Sequence, residues 1–196
     1  MGAPALICAG GITSRSEKIQ AIVRHDERAH VRAAQSGSVD AMEALYRSHW
    51  RPAYRAAYLI VQDRAAAEDI AQEAFLSALR SLDRFDRRRP FGPWPHRIVV
   101  NRAIDWARAR ALRREIGDPG ERPDLAAQEN DPPAADIAPA LADLSPEHRA
   151  VIVLRHLLGY TPGEIAKLLG IPRGTVNSRL RRGLDQLAER LGEGAE

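Results

Sequence analysis

Side chains that can read DNA bases are concentrated in one short segment near the C-terminus. Between residues 173 and 182 the sequence has four arginines and no acidic residue. Arginine can donate paired hydrogen bonds to guanine, and asparagine can pair with adenine in the same way. A helix face that is only solvated would normally alternate glutamate with arginine, so this segment favours a DNA-reading surface. Its candidate contact residues are Arg173, Thr175, Asn177, Ser178, Arg179, Arg181 and Arg182.

The residues around this segment predict the helices of a helix-turn-helix. Ser145, followed by proline, predicts an N-cap. Thr161 and Glu164 have the spacing of a capping box, which starts a helix that we expect to end at Gly170. After a short turn, a longer helix is expected from about residue 173 to about residue 191. Its inward face is predicted from apolar residues three and four apart: Val176, Leu180, Leu184, Leu187 and Leu191.

A second stretch, residues 84–114, combines arginine with aromatic side chains. It has ten arginines against two acidic residues. Positive charge can hold the phosphates of an unpaired strand while aromatic rings stack on its bases. The interleaved aromatic residues are Phe85, Phe91, Trp94 and Trp106. Phe85, Phe91 and Trp106 could instead be core residues, and for Trp106 we favour the core.

The N-terminal half predicts several further helices. Pro52 predicts a kink or a helix boundary just before it, and Asp63 is expected to cap a helix over residues 65–81. Prolines between residues 90 and 95 exclude a regular helix there, so the next helix is expected from about residue 96 to residue 114. Polar side chains on the 65–81 helix lie away from its apolar stripe, available to a partner: Glu68, Asp69, Gln72 and Glu73.

Changes in composition divide the chain into four parts. Residues 1–25 have no sustained period, and residues 1–35 are expected to be an N-terminal extension that is poorly ordered or partly helical. Residues 36–114 and 140–192 have helical patterns, and no β-pattern of any length occurs. Residues 115–139 contain repeated prolines and many acidic residues, as an acidic flexible linker does. The predicted fold is therefore all-α, with two small helical domains and a helix-turn-helix in the second. Whether the two domains pack together is left open.

Composition limits the remaining function classes. The chain has 196 residues and a net charge of +3, and only Lys18 and Lys167 among its 29 basic residues are lysines. A GC-rich genome would also explain the arginine excess, so the placement of the arginines matters more than their number. A single cysteine excludes an internal disulfide, and the histidines have no ligand-like spacing.

We expect no metal, no cofactor and no catalytic acid, base or nucleophile. No apolar run is long enough to span a membrane, so a cytoplasmic protein without membrane insertion is expected.

Three segments together resemble the extracytoplasmic-function (ECF) group of sigma factors, in the sigma-70 superfamily. They are EDIAQEAFLSAL at residues 68–79, FGPWPHRIVVNRAIDW at 91–106 and EIAKLLGIPRGTVNSRL at 164–180. One helix-turn-helix is a weak signal, but these segments occur in the family's order. The resemblance covers roughly residues 38–114 and 140–192.

The resemblance implies a protein that binds core RNA polymerase and directs promoter recognition and opening, without catalysis of its own. The first domain would bind the polymerase through Glu68, Asp69, Gln72 and Glu73. Bases of the −10 element would be captured by Phe91, Trp94, Arg97, Asn101 and Arg102. The −35 element would be read by the second domain, through the candidate residues between 173 and 182. The family also implies an anti-sigma protein as a partner.

The sequence departs from the family in places, and rival hypotheses remain. Pro93 and Pro95 fall where the family usually continues a helix, Val100 stands where a basic residue is common, and residues 1–35 match no shared motif. A stand-alone helix-turn-helix regulator would bind duplex DNA without polymerase, usually as a dimer, but no dimerisation heptad is present. A protein that binds polymerase without reading promoters would not need the base-facing Asn177.

Overall fold

The computed structural model describes residues 26–115 and 137–193, and all regular structure in these two stretches is helical. Residues 1–25 and 116–136, which include most of the predicted linker, lie outside the described residues. The prediction of an all-α fold is confirmed. The helices are α1 (described over 26–35), α2 (Val39–Val61), α3 (Arg64–Arg80), α4 (Pro93–Glu115), α5 (Ala138–Leu141), α6 (Pro146–Ile152), α7 (Pro162–Leu169) and α8 (Arg173–Glu193). A 3₁₀ turn (Leu82–Arg84) follows α3, and a π-helical segment (Val153–Leu157) extends α6.

Several helix ends are set by local side chains, as the sequence predicts. The Asp63 carboxylate accepts a hydrogen bond at 3.0 Å from a backbone N–H three residues further on. Ser145 caps α6 in the same way, and Thr161 with Glu164 forms a complete capping box at the start of α7. α7 ends at Gly170, whose φ of 67° is in the left-handed region.

The helix boundaries predicted from two groups of prolines were wrong, whereas the alternative of a kink at Pro52 stays a prediction. α2 continues through Pro52, which lies inside the helix. The turns of α2 after Pro52 include its most buried part, so tertiary packing offsets the backbone hydrogen bond that proline cannot make. α4 begins at Pro93 rather than near His96, because prolines in the first turn of a helix have no intrahelical hydrogen bond to lose.

Alanine lines the buried surfaces where α2, α3 and α4 meet. In α3 the buried alanines follow one another at intervals of four, three and four residues, which places them on one face. Methyl side chains let helix backbones approach closely, since the distance between helix axes depends on the side chains at the contact. The alanines of this three-helix contact are Ala53, Ala56, Ala57, Ala67, Ala71, Ala74, Ala78, Ala103 and Ala107.

The two halves of the chain pack against each other around one continuous core. α2 and α4 contact α6, and α4 also contacts α7. The core cluster includes Val100 from the first half and Val151 and Leu154 from the second, all with no exposed surface. At its edge the Gln62 side-chain amide donates to the Ala138 carbonyl at 2.6 Å. The described residues of both halves therefore form a single packed unit.

A buried polar contact lies at the junction between the halves. The Nδ1 of His96, at the start of α4, is 2.7 Å from the hydroxyl of Tyr160, just before α7. Burial, assisted by the neighbouring His49, lowers the pKa of His96 to about 4. Burial also raises the pKa of Tyr160, and the negative charges of Glu164 and Glu27 add to this shift. Both side chains are therefore neutral near pH 7.

Acid should destabilise the packed structure through His96. The neutral ring is the buried form, so its contribution is complete above the ordinary histidine pKa of about 6.5 and is lost as the pH falls toward about 4. This pKa difference corresponds to at most about 3 kcal/mol of unfolding free energy. Urea unfolding followed by circular dichroism at about pH 7 and about pH 5 should show a smaller loss for His96→Gln than for wild type.

The matched control is His156→Gln, because His156 is exposed on the π-helical segment. This variant should keep the wild-type acid sensitivity. Equal acid sensitivity of His96→Gln and wild type would show that His96 does not carry the effect.

Candidate nucleic-acid interface

The predicted duplex-reading residues lie along the first three turns of α8. The exposed members are Arg173, Asn177, Arg181 and Arg182. The half-buried members are Thr175, Ser178 and Arg179. The Ser178 hydroxyl donates to the Thr175 carbonyl at 3.0 Å, so this donor is used within the helix. The exposed members of this predicted set therefore offer three guanidinium groups and one carboxamide, all of which can form paired hydrogen bonds with bases.

α8 is seated on α6 by a close approach at Gly183. A Cβ added at this position would lie 2.8 Å from the Cδ1 of Ile152 and 3.3 Å from the Cβ of His148. The sequence prediction gave an inward position to Leu184, which is instead 42% exposed, because apolar spacing alone cannot reveal that a glycine makes the contact. The members of the predicted inward face that are buried or half-buried are Val176, Leu180 and Leu187. The side chain of Leu191 lies outside the described part.

Arg179 is the α8 arginine that is turned partly toward the protein. Glu147 of α6 accepts a hydrogen bond from Arg108 of α4 and also lies within electrostatic reach of Arg179. Burial raises the pKa of Glu147, but the hydrogen bond from Arg108 and the two positive charges outweigh it, so the net shift is downward. The positive charge of Arg179 is therefore partly compensated by Glu147 of α6.

An aromatic cluster lies where the loop after α3 meets the start of α4. The rings of Phe85 and Trp94 are stacked, with centroids 4.8 Å apart and planes at 20°. Phe91 meets both edge-on, at 5.7 Å and 5.9 Å, and is only 1% exposed. Phe91 was predicted to contact DNA, but in this structure it is a core residue that supports the stack. Trp106, for which the core was favoured, is half-buried with Arg110 over its ring.

The remaining predicted −10 residues follow one another along α4. Trp94, Arg97 and Asn101 are three and four residues apart, so they share one face of the helix. Arg97 is exposed and Asn101 is half-buried. The next residue, Arg102, donates to the Glu73 carboxylate of α3 at 2.6 Å. This pair borders a cleft of about 600 Å³ that Arg80 and Arg84 also line.

The predicted polymerase-binding residues form an exposed face of α3. All four are exposed, as expected for side chains away from the apolar stripe: Glu68, Asp69, Gln72 and Glu73. Leu76, one turn further along, is 45% exposed although it is a large apolar residue. Acidic groups beside an exposed leucine suit a protein partner, which can bury the leucine and pair the charges at the rim.

The sequence interpretation missed the contribution of α1 to the aromatic cluster. The Glu27 carboxylate and the Gln35 amide both hydrogen-bond to the backbone of the segment that carries Phe85 and Phe91. The available signal was the pair Val31 and Ala34, whose spacing of three fits one helix face. That signal is too short to separate a packed helix from an irregular segment.

The described residues contain neither a cluster typical of a metal site nor a helix typical of a membrane span. No group of three or more potential ligands among histidine, cysteine, aspartate and glutamate is placed to hold a metal ion there. None of the described helices combines the length and apolar character that crossing a membrane requires.

Comparison with known proteins gives two family matches. The family described as Sigma-70 region 2 matches residues 45–113, and Sigma-70, region 4 matches residues 135–187. The ECF RNA polymerase sigma factor SigL of Mycobacterium tuberculosis is 37% identical over 158 residues, covering 78% of this chain and 89% of SigL. The RNA polymerase sigma factor CarQ of Myxococcus xanthus is 34% identical, covering 80% of this chain and 92% of CarQ.

Some relatives are longer than this chain. The ECF RNA polymerase sigma factor SigE of Mycolicibacterium smegmatis is 34% identical over 157 residues, which cover 76% of this chain but only 61% of SigE. The match therefore spans less than two thirds of that relative.

Two solved structures of similar fold are of proteins in complex with a partner. CnrH, in complex with the cytosolic domain of CnrY, superposes with a TM-score of 0.66 at 29% identity, covering 86% of this chain and 98% of CnrH. RpoE of Bartonella quintana, in complex with the anti-sigma factor NepR, gives the same TM-score at 24% identity, covering 79% of this chain and 98% of RpoE. The second likeness supports the fold alone.

The two family matches cover the half that carries the aromatic cluster and the half that carries the helix-turn-helix, in that order along the chain. SigL and CarQ match it over most of their own length at more than 30% identity. This chain belongs to the ECF group of the sigma-70 family of RNA polymerase sigma factors.

Proposed function

We propose that this sigma factor binds core RNA polymerase, recognises the −35 and −10 elements of a promoter and helps to separate the two promoter strands. One observation carries the proposal. The same chain presents an exposed arginine and asparagine face on α8 and a stacked aromatic pair followed by polar residues on α4. The first surface suits paired DNA, and the second suits an unpaired strand.

The proposed −35 role of α8 is supported by the exposure of its polar side chains and by the close packing of its backbone on α6. Asn177, Arg181 and Arg182 are exposed on the helix that follows the turn, which is the helix that enters the major groove in this motif. Arg173 and Thr175 lie at the helix start, where phosphate contacts are common. The close contact at Gly183 fixes the α8 backbone on α6, so the base-facing side chains extend from a rigid element.

The −10 role of α4 rests on the aromatic stack and the polar face beside it. Stacking on an aromatic side chain contributes about 1–3 kcal/mol per base. Trp94 is half-buried and braced by Phe85, while Arg97, Asn101 and Arg102 continue from it along α4. Phe91 supports this platform from the core and is not proposed as a base contact.

The polymerase-binding role of α3 rests on its exposed acidic and amide side chains and on Leu76. Gln72 and Glu73 lie one turn before this leucine on the surface of the helix, and Glu68 and Asp69 lie two turns before it. An apolar centre with a charged rim is the usual anatomy of a protein interface. Catalysis of RNA synthesis would belong to the polymerase, and the sigma factor would act in the cytoplasm without enzymatic activity of its own.

Promoter recognition requires the two packed halves to separate. The −35 and −10 elements are about 25 base pairs apart, which corresponds to roughly 85 Å of duplex. The unit seen here is held together by α2 and α4 against α6 and α7. A compact unit of this many residues has a radius of gyration of roughly 15 Å, which is too small to contact both elements. The 22 residues between α4 and α5 can span at most roughly 75 Å, which together with the width of the halves themselves is enough to join them after separation.

An anti-sigma protein is a further proposed partner. The CnrH structure contains the cytosolic domain of CnrY, and the RpoE structure contains the anti-sigma factor NepR. A protein of this class that stabilises the packed arrangement would keep the two DNA-facing surfaces from reaching their separate elements.

Transcription in vitro tests the proposed function directly. Core RNA polymerase with this chain should start transcription at defined sites in a promoter library, whereas core polymerase alone should not. Sequencing of the transcripts gives the start sites and the selected upstream elements. Start sites no different from those of core alone would contradict the sigma function, and duplex binding without polymerase would then favour a stand-alone regulator.

Arg182→Ala should weaken recognition of the −35 element and relax specificity at one base position. The loss expected for a bidentate arginine–guanine contact is about 1–3 kcal/mol. Competition binding of holoenzyme to −35 variants measures both effects. Arg190→Ala is the matched control, because Arg190 is exposed on the same helix but pairs with Asp143 at 2.8 Å. A uniform loss on all sequences would reassign Arg182 to a phosphate.

Trp94→Ala should impair promoter opening more than binding to closed duplex DNA. Loss of the ring removes one stacking surface, so open complexes should decrease by roughly tenfold or more. Potassium permanganate footprinting measures opening, and a gel-shift assay at low temperature measures closed binding. Trp94→Phe keeps an aromatic face and should retain most of the activity. An equal loss in both assays would contradict strand capture.

A further inference from the structure

We propose that α1 positions the strand-capture platform through two side chains, Glu27 and Gln35. The strand-capture platform is the stacked pair Phe85 and Trp94 together with the supporting Phe91. α1 precedes the region matched by the Sigma-70 region 2 family, which begins at residue 45. The inference rests on the proposed −10 function and names the residues that hold its geometry.

α1 is packed into the core beneath the platform. Val31 and Ala34 are each 2% exposed and belong to a separate hydrophobic cluster with Leu45, Leu82 and Phe91. Phe85 and Trp94 pack against the same cluster. The platform therefore rests on a small core that α1 helps to build, distinct from the main core shared by the two halves.

Gln35 holds the beginning of the segment that leads to the platform. Its side-chain amide donates to the Leu82 carbonyl and to the Phe85 carbonyl, both at 2.9 Å. These carbonyls lie in the 3₁₀ turn and just after it, and the Leu82 carbonyl also accepts a hydrogen bond from the Phe85 backbone N–H at 3.0 Å. One amide thus fixes the backbone of Phe85, a member of the stack, from 50 residues earlier in the chain.

Glu27 holds the end of the same segment. Its Oε1 accepts hydrogen bonds from the backbone N–H of Phe91 at 2.6 Å and of Gly92 at 3.2 Å. These residues immediately precede Pro93, the first residue of α4, and a negative charge is favourable at a helix N-terminus. The same oxygen lies 3.8 Å from the Nε2 of His49, whose ring packs on Phe91.

The two contacts together constrain a segment that is otherwise exposed. Residues 87–90, between the two anchored ends, are exposed and include three arginines. Stacking depends on ring orientation, so capture of a strand by rings on a mobile backbone would first have to order that backbone, which costs binding free energy. Because α1 already holds the backbone in place, much of this cost would be removed. Glu27 and Gln35 are therefore positioning residues, since they act on the strand through the rings.

The test uses holoenzyme on a promoter selected from the transcription library, with 2-aminopurine in the non-template strand of the −10 element. Glu27→Ala should lower open-complex formation roughly tenfold, because two charge-assisted hydrogen bonds are lost. Glu27→Gln keeps an oxygen acceptor and should restore opening to within about threefold of wild type. Affinity for core polymerase, measured by competition with the wild-type chain, should change by less than about twofold.

Gln35 supplies an independent arm of the same test. Gln35→Glu is similar in size and helix propensity but has no N–H to donate, so it should lower opening as Gln35→Ala does. The matched control is Asp26→Ala, which removes a carboxylate from an exposed position on α1 and should behave as wild type. Thermal unfolding of each variant identifies any that fail to fold.

The possible outcomes are distinct. Wild-type opening by Glu27→Ala and by Gln35→Glu would overturn the positioning role and leave the sigma function intact. Equal losses of opening and of polymerase affinity would also overturn it, in favour of general stabilisation. A wild-type holoenzyme without any promoter-dependent signal would overturn the proposed function itself. If a variant with alanine fails to fold, opening by Glu27→Gln and loss of opening by Gln35→Glu still decide the question.

Discussion

Close packing of the alanine faces of α2, α3 and α4 is the constraint on which the other surfaces depend. Along one stripe of its buried surface α3 presents the methyl groups of Ala67, Ala71, Ala74 and Ala78, so the helix backbones can approach closely there. This contact fixes α4, which carries the aromatic stack at its start and the polar residues of the proposed −10 surface along its length. A larger side chain at any of these alanines would displace α4 as a rigid unit, because packed interiors transmit small displacements.

The same constraint reaches the helix-turn-helix through a series of contacts. α6 rests on α2 and α4, the Arg108–Glu147 pair ties α4 to α6, and α8 is seated on α6 at Gly183. In the packed arrangement the distance and orientation between the two candidate nucleic-acid surfaces are therefore fixed. In the proposed separation of the halves on a promoter, the contacts between them would be replaced by contacts with polymerase and DNA. Separation of the halves would expose apolar surface to water, which costs free energy. A protein partner that covers this surface would reduce the cost.

Local chemistry made some features of this fold predictable, and distance in the sequence hid others. Asp63 and the Thr161 capping box act on residues within one helical turn, so their types and spacing were sufficient. Glu27 acts on a backbone 64 residues away, and nothing near it in the sequence indicates that target. The contact at Gly183 was not predicted, because helical periodicity is judged from apolar side chains and this contact depends on glycine having no side chain. For the candidate site, the residue types indicated a nucleic-acid partner. Only the burial seen in the structure separates Phe91, which supports the stack from the core, from Trp94, which is partly exposed.

The ion pair between Glu73 and Arg102 joins surfaces that are proposed to meet different partners. While the two side chains are bonded at 2.6 Å, each charge is partly compensated, so the carboxylate attracts polymerase less and the guanidinium attracts DNA less. Polymerase that engages Glu73 would release Arg102 for the promoter strand, and by thermodynamic reciprocity the strand would tighten the hold on polymerase. An exposed pair of this kind contributes at most about 1 kcal/mol, so the cooperativity would be about fivefold at most. Even so, it would couple the two partners, so that each binds more tightly once the other is in place.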